Sequence, residues 1–312
     1  MQLEGIHHIT AITGDAPRNV DFYARVMGLR LVKKTVNQDD PTIYHLFYGD
    51  EEGDPGLDLT FFEYPGASPG RAGDGMIHRI IWRVGSADAV GFWADRLGGE
   101  DVATERVDGR LRFRDPEGLE HELRVDESGD DPLIAEHVEV PLEMALQGFD
   151  GVRAYSSQPE ASKALLEQAL GFRGAGDGWE VRGERRGSTY AYDSPPAEPG
   201  VQSAGTVHHV AFASSVEDHE TWRERVIRAG ARPTPVIDRF YFRSIYFREP
   251  SGVLFELATI GPGFTVDEPL EHLGEHLSLP PAFEHLRDQV EPRLTPLPDV
   301  RQWRPGAVPS GG

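Results

Sequence analysis

The chain has 312 residues, more than one average domain and too few for three, so two compact units are expected. It contains no cysteine, which excludes disulfides, thiolate metal sites and a cysteine nucleophile, and leaves His, Asp and Glu as the available strong metal ligands. The formal net charge is -21, from 52 acidic residues against 31 basic ones, and such a surface repels nucleic acid and anionic membranes.

The basic residues are nearly all Arg, with Lys only at Lys33, Lys34 and Lys163. An acid-rich, Lys-poor surface suits a high-salt cytoplasm, where screening tolerates self-repulsion. It suits an ordinary acidic enzyme from an Arg-rich proteome equally well. The start MQLEGIHHIT has neither a basic leader nor an apolar core, and no run of about 18 apolar residues follows. A cytoplasmic protein without membrane contact is the expectation.

The first element in the chain is the apolar run IHHITAI from Ile6, which reads as a strand. Asp15 before Pro17 is a helix start, Val20, Tyr23 and Met27 follow at helical spacing, and Gly28 suits the left-handed position that ends a helix. Three alternating segments come next, RLVKKTV, IYHLFYG and LDLTFFEY. The plan then recurs. IHRIIWRV from Ile77 leads to Ser86, a helix with Val90, Trp93 and Leu97, and Gly98. FDGVRAY from Phe149 leads to Ser157, Pro159 and Gly171, and VHHVAFA from Val207 leads to Ser215, Asp218 and Gly230. Counted from His8, Arg79, Gly151 and His209, the four glycines lie 20, 19, 20 and 21 residues on. A register kept through four segments marks an internal repeat. The second and fourth copies also end alike, FRDPEGLEHEL from Phe113 against FREPSGVLFEL from Phe247.

The expected fold class is therefore α+β, built from four βαβββ modules over residues 1–66, 75–126, 148–194 and 205–260. Residues 261–312 read as an extended C-terminal tail with one short helix near Ala282 to Val290. His272 and His276 fall in this Pro-rich tail and are expected to be exposed rather than metal-bound.

The motifs IHHIT, TVHHVAF, DRFYFRSIYFREPSG and FELAT resemble the vicinal oxygen chelate (glyoxalase/bleomycin resistance/dioxygenase) superfamily, and within it the hydroquinone-type ring-cleaving dioxygenases. The resemblance covers residues from about 4 to about 260. It implies that modules pair into half-barrel domains, one of them curled around a metal, with modules one and four forming the metal site and modules two and three a degenerate partner.

Comparing the copies shows where ligands survive. The opening-strand position is His8 in copy one and His209 in copy four, but Arg79 and Gly151 in the other two. Arg cannot ligate a cation, and Gly has no side chain. Four residues after the turn glycine, copy four has Glu256, copy two has Glu122 and copy one has Thr60. Glu63 lies three residues beyond Thr60, on the opposite face of its strand. The surviving set, His8, His209 and Glu256, is the donor combination of non-haem Fe(II) oxygenases. Glu122, with His121 and Glu120 beside it and no histidine in its own opening-strand position, reads as structural.

Thr10 shares the strand face of His8 and is a candidate substrate hydrogen-bond donor. Simple alternation turns His7 and His208 away from the metal, whereas the resemblance implies that both belong to the pocket; a strand bulge would reconcile the two. The resemblance also implies that Arg239 and Tyr246 lie beside the substrate, with Arg243 and Tyr241 as neighbours that could be confused with them. The activity implied is an Fe(II)-dependent, extradiol-type ring cleavage with Mn(II) as the alternative metal. The partners expected are a small aromatic diol and O2, with no nucleic acid or membrane, and a second copy of the chain if it forms a homo-oligomer. Two other readings stand beside it. A glyoxalase-like isomerase or lyase would use a fourth protein ligand, where this chain has Thr60. A non-catalytic small-molecule binder would have no reason to keep the triad.

Overall fold

The structure, a computed structural model, describes residues 1–306. Residues 307–312 of the expected tail lie outside the described residues. Four strands form the first repeat: β1 (Ile6–Thr13), β2 (Arg30–Asn37), β3 (Asp40–Gly49) and β4 (Asp58–Glu63). The second holds β5 (Ile77–Val84), β6 (Thr104–Val107), β7 (Arg110–Arg114) and β8 (Glu120–Val125). The third holds β9 (Leu146–Tyr155), β10 (Arg173–Ala175), β11 (Gly178–Arg182) and β12 (Gly187–Asp193). The fourth holds β13 (Thr206–Ser214), β14 (Ile237–Asp238), β15 (Arg243–Arg248) and β16 (Leu254–Thr259).

Helical segments follow the opening strand of every repeat. They are α1 (Ala16–Val20), continuing as a wider π-helical segment over Asp21–Val26, then α2 (Ala87–Gly99), a π-helical segment over Leu165–Ala169, and α3 (His219–Arg228). Two expected starts hold: Asp15 accepts from the Arg18 amide and Ser86 from the Ala89 amide. Gly28, Gly171 and Gly230 adopt positive φ. Gly98 does not. Helix α2 runs on to Gly99, and the left-handed residue after it is Asp101, whose short polar side chain tolerates that conformation. In the fourth repeat Ser215 caps a turn by accepting from the Asp218 amide, which delays α3 to His219.

The strands form two eight-stranded sheets. One runs β14-β15-β16-β13-β1-β4-β3-β2 and the other β10-β11-β12-β9-β5-β8-β7-β6. The first and fourth repeats thus meet in one sheet along the antiparallel β1/β13 pair, and the second and third meet in the other along β5/β9. A large apolar cluster that includes Trp82, Trp93, Trp222 and Tyr23 unites the two sheets and their helices. A second, smaller cluster of Val32, Phe47, Ala211, Tyr241, Phe242, Ala258, Phe264 and Leu273 lies on the inner side of the first sheet. No helix among the described residues is long and apolar enough to cross a membrane.

The β1/β13 seam is irregular at two places. Ile6 pairs with Phe212 and His8 with Ala211, so His7 is an extra residue; Thr10 pairs with His209 and Ala11 with Val207, so His208 is another. Each is a bulge that re-aims the side chain at that position. The β5/β9 seam carries matching shifts at His78 and Asp150, so the bulges belong to the repeated scaffold.

The tail carries several short turns besides the one short helix expected near Ala282 to Val290. It makes short turns at Phe264–Val266, Leu270–His272, Glu284–Leu286, Glu291–Arg293 and Val300–Trp303, with α4 at Arg287–Val290. It is held along β2. Lys33, fully buried, forms ion pairs with Asp267 and Glu268, and the amide of Ser278 donates to the Lys34 carbonyl. Arg304 and Glu51 close the far end at 2.7 Å, while His272 and His276 remain exposed. Removing one partner of a buried ion pair costs about 3 kcal/mol, because the other charge stays desolvated. Lys33→Ala is therefore expected to destabilise the protein by about that amount in urea titration and to expose residues 261–306 to protease, whereas Lys163→Ala, at an exposed position, should change stability by less than about 0.5 kcal/mol.

Candidate metal centre

Three side chains converge on the inner face of the first sheet. His8 Nε2 lies 3.1 Å and His209 Nε2 2.9 Å from Glu256 Oε2, and the two ring nitrogens are 3.3 Å apart. All three residues are buried. The β1/β13 pairing sets Thr10 opposite His209, and the β13/β16 pairing sets Ala211 beside Glu256, so adjacent strands deliver the three groups from one face. No other such group of His, Asp and Glu occurs among the described residues.

The Glu256 carboxylate decides what this cluster is for. Both of its oxygens are buried without a hydrogen bond, since the short contacts to the rings lack hydrogen-bond geometry. Burial works against charge on Glu256, yet the adjacent His8 and His209 outweigh it and hold the carboxyl well below the usual carboxylate range. Burial pushes the His209 imidazole down, towards its neutral form. A buried carboxylate set between two imidazoles, with neither oxygen in a hydrogen bond, is a donor set that could hold a divalent cation.

The second ring nitrogens show how the imidazoles are oriented. His7 Nε2 contacts the Thr259 carbonyl at 3.2 Å, and a carbonyl only accepts, so Nε2 carries the proton. Burial, reinforced by His8, pushes the His7 pKa down to about 3, so the ring is neutral and its Nδ1 is an acceptor. His8 Nδ1, 3.0 Å away, must then donate, and the same contact turns His8 Nε2 towards Glu256. His208 makes the same ring-to-ring contact, with its Nδ1 2.8 Å from His209 Nδ1 and its pKa pushed down to about 4 by burial and then by His209. The two bulged histidines thus act through the rings they follow in space, and neither lines the cleft itself.

The other sheet supplies an internal control. Glu122 is as buried as Glu256, but three guanidinium groups surround it: Arg79 at 3.5 Å, Arg110 at 3.2 Å and Arg112 at 2.7 Å. Arg79 stands where His8 stands in the first repeat. The repeated carboxylate position is satisfied by fixed cations in one half and by imidazoles alone in the other.

A narrow cleft of about 30 Å³ adjoins His8 and His209. Arg239, Tyr246 and Tyr241 line it, and Arg243 does not. The Arg239 guanidinium pairs with Asp39 at 2.9 Å and lies 5.5 Å over the Tyr246 ring. Burial, followed by Glu256, pushes the Tyr246 phenol up, so it stays a donor at neutral pH. The Tyr241 hydroxyl turns the other way, to Asp267 in the tail. Thr10 sits on the His8 face but is not part of the lining, because its hydroxyl is 2.8 Å from Thr60 Oγ1 and sealed beneath the surface. Glu63 points away and accepts from the Ala16 amide at the start of α1.

Sequence reasoning missed His45, Phe62 and Phe242, which also line the cleft. Alternation along IYHLFYG and LDLTFFEY would have placed His45 and Phe62 on the inner face, had it been applied beyond β1. Phe242, in the loop before β15, carries no periodic signal.

Comparison with known proteins follows the same lines. The model of the Glyoxalase/Bleomycin resistance protein/Dioxygenase superfamily matches residues 5–123 and 148–257. MhqA of Bacillus subtilis, named as a candidate ring-cleaving dioxygenase, is 40% identical over 95% of this chain and 100% of its own length. The chlorohydroquinone/hydroquinone 1,2-dioxygenase of Sphingobium indicum is 31% identical over 93% of this chain and 95% of its own length. A crystal structure of a candidate dioxygenase from Bacillus subtilis superposes with a TM-score of 0.87 at 40% identity, covering 95% of this chain and 98% of the other. Glyoxalase I from Zea mays shares the fold at a TM-score of 0.60 and 16% identity, over 87% of this chain and 96% of its own.

The contrast between the two carboxylates is directly testable. Glu256→Ala is expected to abolish stoichiometric binding of a divalent metal, measured as metal per chain after dialysis. Glu122→Ala should keep the metal but lose about 3 kcal/mol of stability, since it strands buried guanidinium charge. Metal retained by Glu256→Ala and lost by Glu122→Ala would reverse the assignment.

Proposed function

Because the chain belongs to the Glyoxalase/Bleomycin resistance protein/Dioxygenase superfamily, we propose that it is an Fe(II)-dependent, extradiol-type dioxygenase that cleaves the ring of a hydroquinone or related aromatic diol with O2. The observation that carries this reading is the buried Glu256 carboxylate, without a hydrogen-bond donor, between two imidazoles whose outer nitrogens are already engaged. His8, His209 and Glu256 would hold the ion, with Mn(II) as the alternative occupant. Bound there, a redox-active metal supplies a path for electrons from an electron-rich ring to dioxygen.

The protein's own groups account for the rest. His7 and His208 hold the Nδ1 atoms of His8 and His209 and so turn their Nε2 atoms towards Glu256. The aromatic walls Phe47, Phe62 and Phe242 exclude water and favour a flat ring. Arg239 offers positive charge to a phenolate oxygen, and Tyr246 donates to an oxygen beside it. In this reading residues 1–66 and 205–260 make the catalytic domain, residues 75–126 and 148–194 its degenerate partner, and residues 261–312 a covering tail. An isomerase of the glyoxalase kind is disfavoured because the position of a fourth ligand holds Thr60, whose hydroxyl is taken up by Thr10 and His45.

A catechol can chelate a metal through two adjacent oxygens. A hydroquinone offers one, and its far side must be oriented by protein groups, which the polar residues of this cleft supply. Anaerobically reconstituted enzyme, given oxygen with either diol, is expected to show the higher kcat/KM for hydroquinone and to consume one O2 per ring opened, about the stoichiometry of dioxygen incorporation. A preference for catechol would overturn the substrate, and no oxygen uptake with any diol would overturn the reaction.

A further inference from the structure

Resting on the ring-cleaving reading, we infer that His45 is a further substrate-binding residue, whose Nδ1 makes a hydrogen bond to an oxygen of the bound aromatic diol. The argument begins with register. His45 on β3 lies opposite Phe62 on β4, Phe47 lies opposite Thr60, and Thr60 lies beside Thr10 on β1. These residues therefore share the inner face with His8. In the sheet order, β3 stands two strands beyond β1 on one side, and β15 with Tyr246 stands two strands beyond β13 on the other. His45 and Tyr246 flank the ligand pair from opposite sides.

The His45 ring is held as a ligand-binding group would be. It packs between Phe47 and Phe62, with ring centroids 4.0 and 4.4 Å away. Its Nε2 is 2.9 Å from Thr60 Oγ1, which is itself 2.8 Å from Thr10 Oγ1, and both threonines are fully buried. One edge of the imidazole is thereby anchored to the core. No described residue bonds the other nitrogen, Nδ1, and it is not among the sealed, unpartnered atoms of the interior, so it keeps contact with the cleft that His45 lines together with His8 and His209. A histidine kept only for packing between two phenylalanines would leave a polar atom wasted there.

Burial, and then the nearby His8 and His209, push the His45 pKa well below its ordinary value, so the ring is neutral. A neutral imidazole presents either a lone pair or an N–H at Nδ1, and the Thr60 hydroxyl accepts or donates at Nε2 to match. The same side chain thus fits a ring hydroxyl, which donates, or a phenolate oxygen, which accepts.

The test is anaerobic calorimetric binding of hydroquinone to metal-loaded protein, with bound metal measured alongside. His45→Phe is expected to bind hydroquinone about tenfold more weakly, the loss of roughly one hydrogen bond, with metal content unchanged. His45→Gln, which restores a polar atom, should recover part of the loss. Equal affinity in wild type and His45→Phe overturns the inference alone, as does loss of the metal from His45→Phe. Wild-type protein that binds no hydroquinone overturns the ring-cleaving reading and the inference with it. If His45→Phe fails to fold, the 15N resonance of His45 Nδ1 in zinc-substituted wild-type protein decides: it should move when hydroquinone is added, and a resonance that stays put overturns the assignment.

Discussion

A carboxylate in each sheet is fully buried, and the rest of the site follows from how that charge is balanced. In the second sheet Glu122 is met by Arg79, Arg110 and Arg112, and the position is closed. In the first sheet Glu256 meets only His8 and His209, and both of its oxygens lack a donor. An uncompensated buried carboxylate carries a desolvation penalty of several kcal/mol. The repeat partner, Glu122, is neutralised by arginine, whereas the charge of Glu256 is one that a cation would balance.

Presenting both Nε2 atoms to Glu256 demands control of two imidazole orientations, and the scaffold provides it through the bulges at His7 and His208. A regular strand would send these side chains to the convex side, away from the ligands. The extra residue at each point turns the ring so that its Nδ1 meets the Nδ1 of the ligand beside it. Matching bulges at His78 and Asp150 in the other sheet have been put to a different use, with His78 Nε2 bonded to Asp193 at 2.8 Å. The backbone device is shared by both halves, and the side chains placed on it decide the chemistry.

Much of this was legible in the sequence because repetition converts weak local signals into strong ones. A single HH on a strand says little, but two at equivalent positions, with Arg79 and Gly151 in the others, single out His8 and His209. The turn glycines fixed the register from which Glu256 could be separated from Glu122. What stayed hidden depended on contacts across the sheet. Thr10 lies on the expected face, yet whether its hydroxyl reaches the cleft is decided by Thr60, fifty residues on. His45 follows the same alternation, but its place in the site depends on β4 lying between β3 and β1. The end of α2 was misjudged because Gly98 and Gly99 occur together and neither needs positive φ when Asp101 takes that conformation.

The tail, least regular in sequence, is tied to the site by a short chain of contacts. Lys33 binds Asp267 and sits 4.9 Å over the ring of Tyr241, whose hydroxyl also bonds Asp267. Tyr241 forms part of the cleft wall, next to Phe242, whose ring contacts both His7 and His8. Phe264 of the tail packs against Gly53, where a Cβ would come within 2.5 Å of its ring, so the loop after β3 must carry glycine for the tail to seat. Gly53 also has a φ of +73°, which L side chains rarely adopt. The tail therefore does more than cover the first repeat: through Lys33 and Asp267 it fixes the aromatic wall that packs against His8, and any change in its seating reaches the cleft through Tyr241 and Phe242.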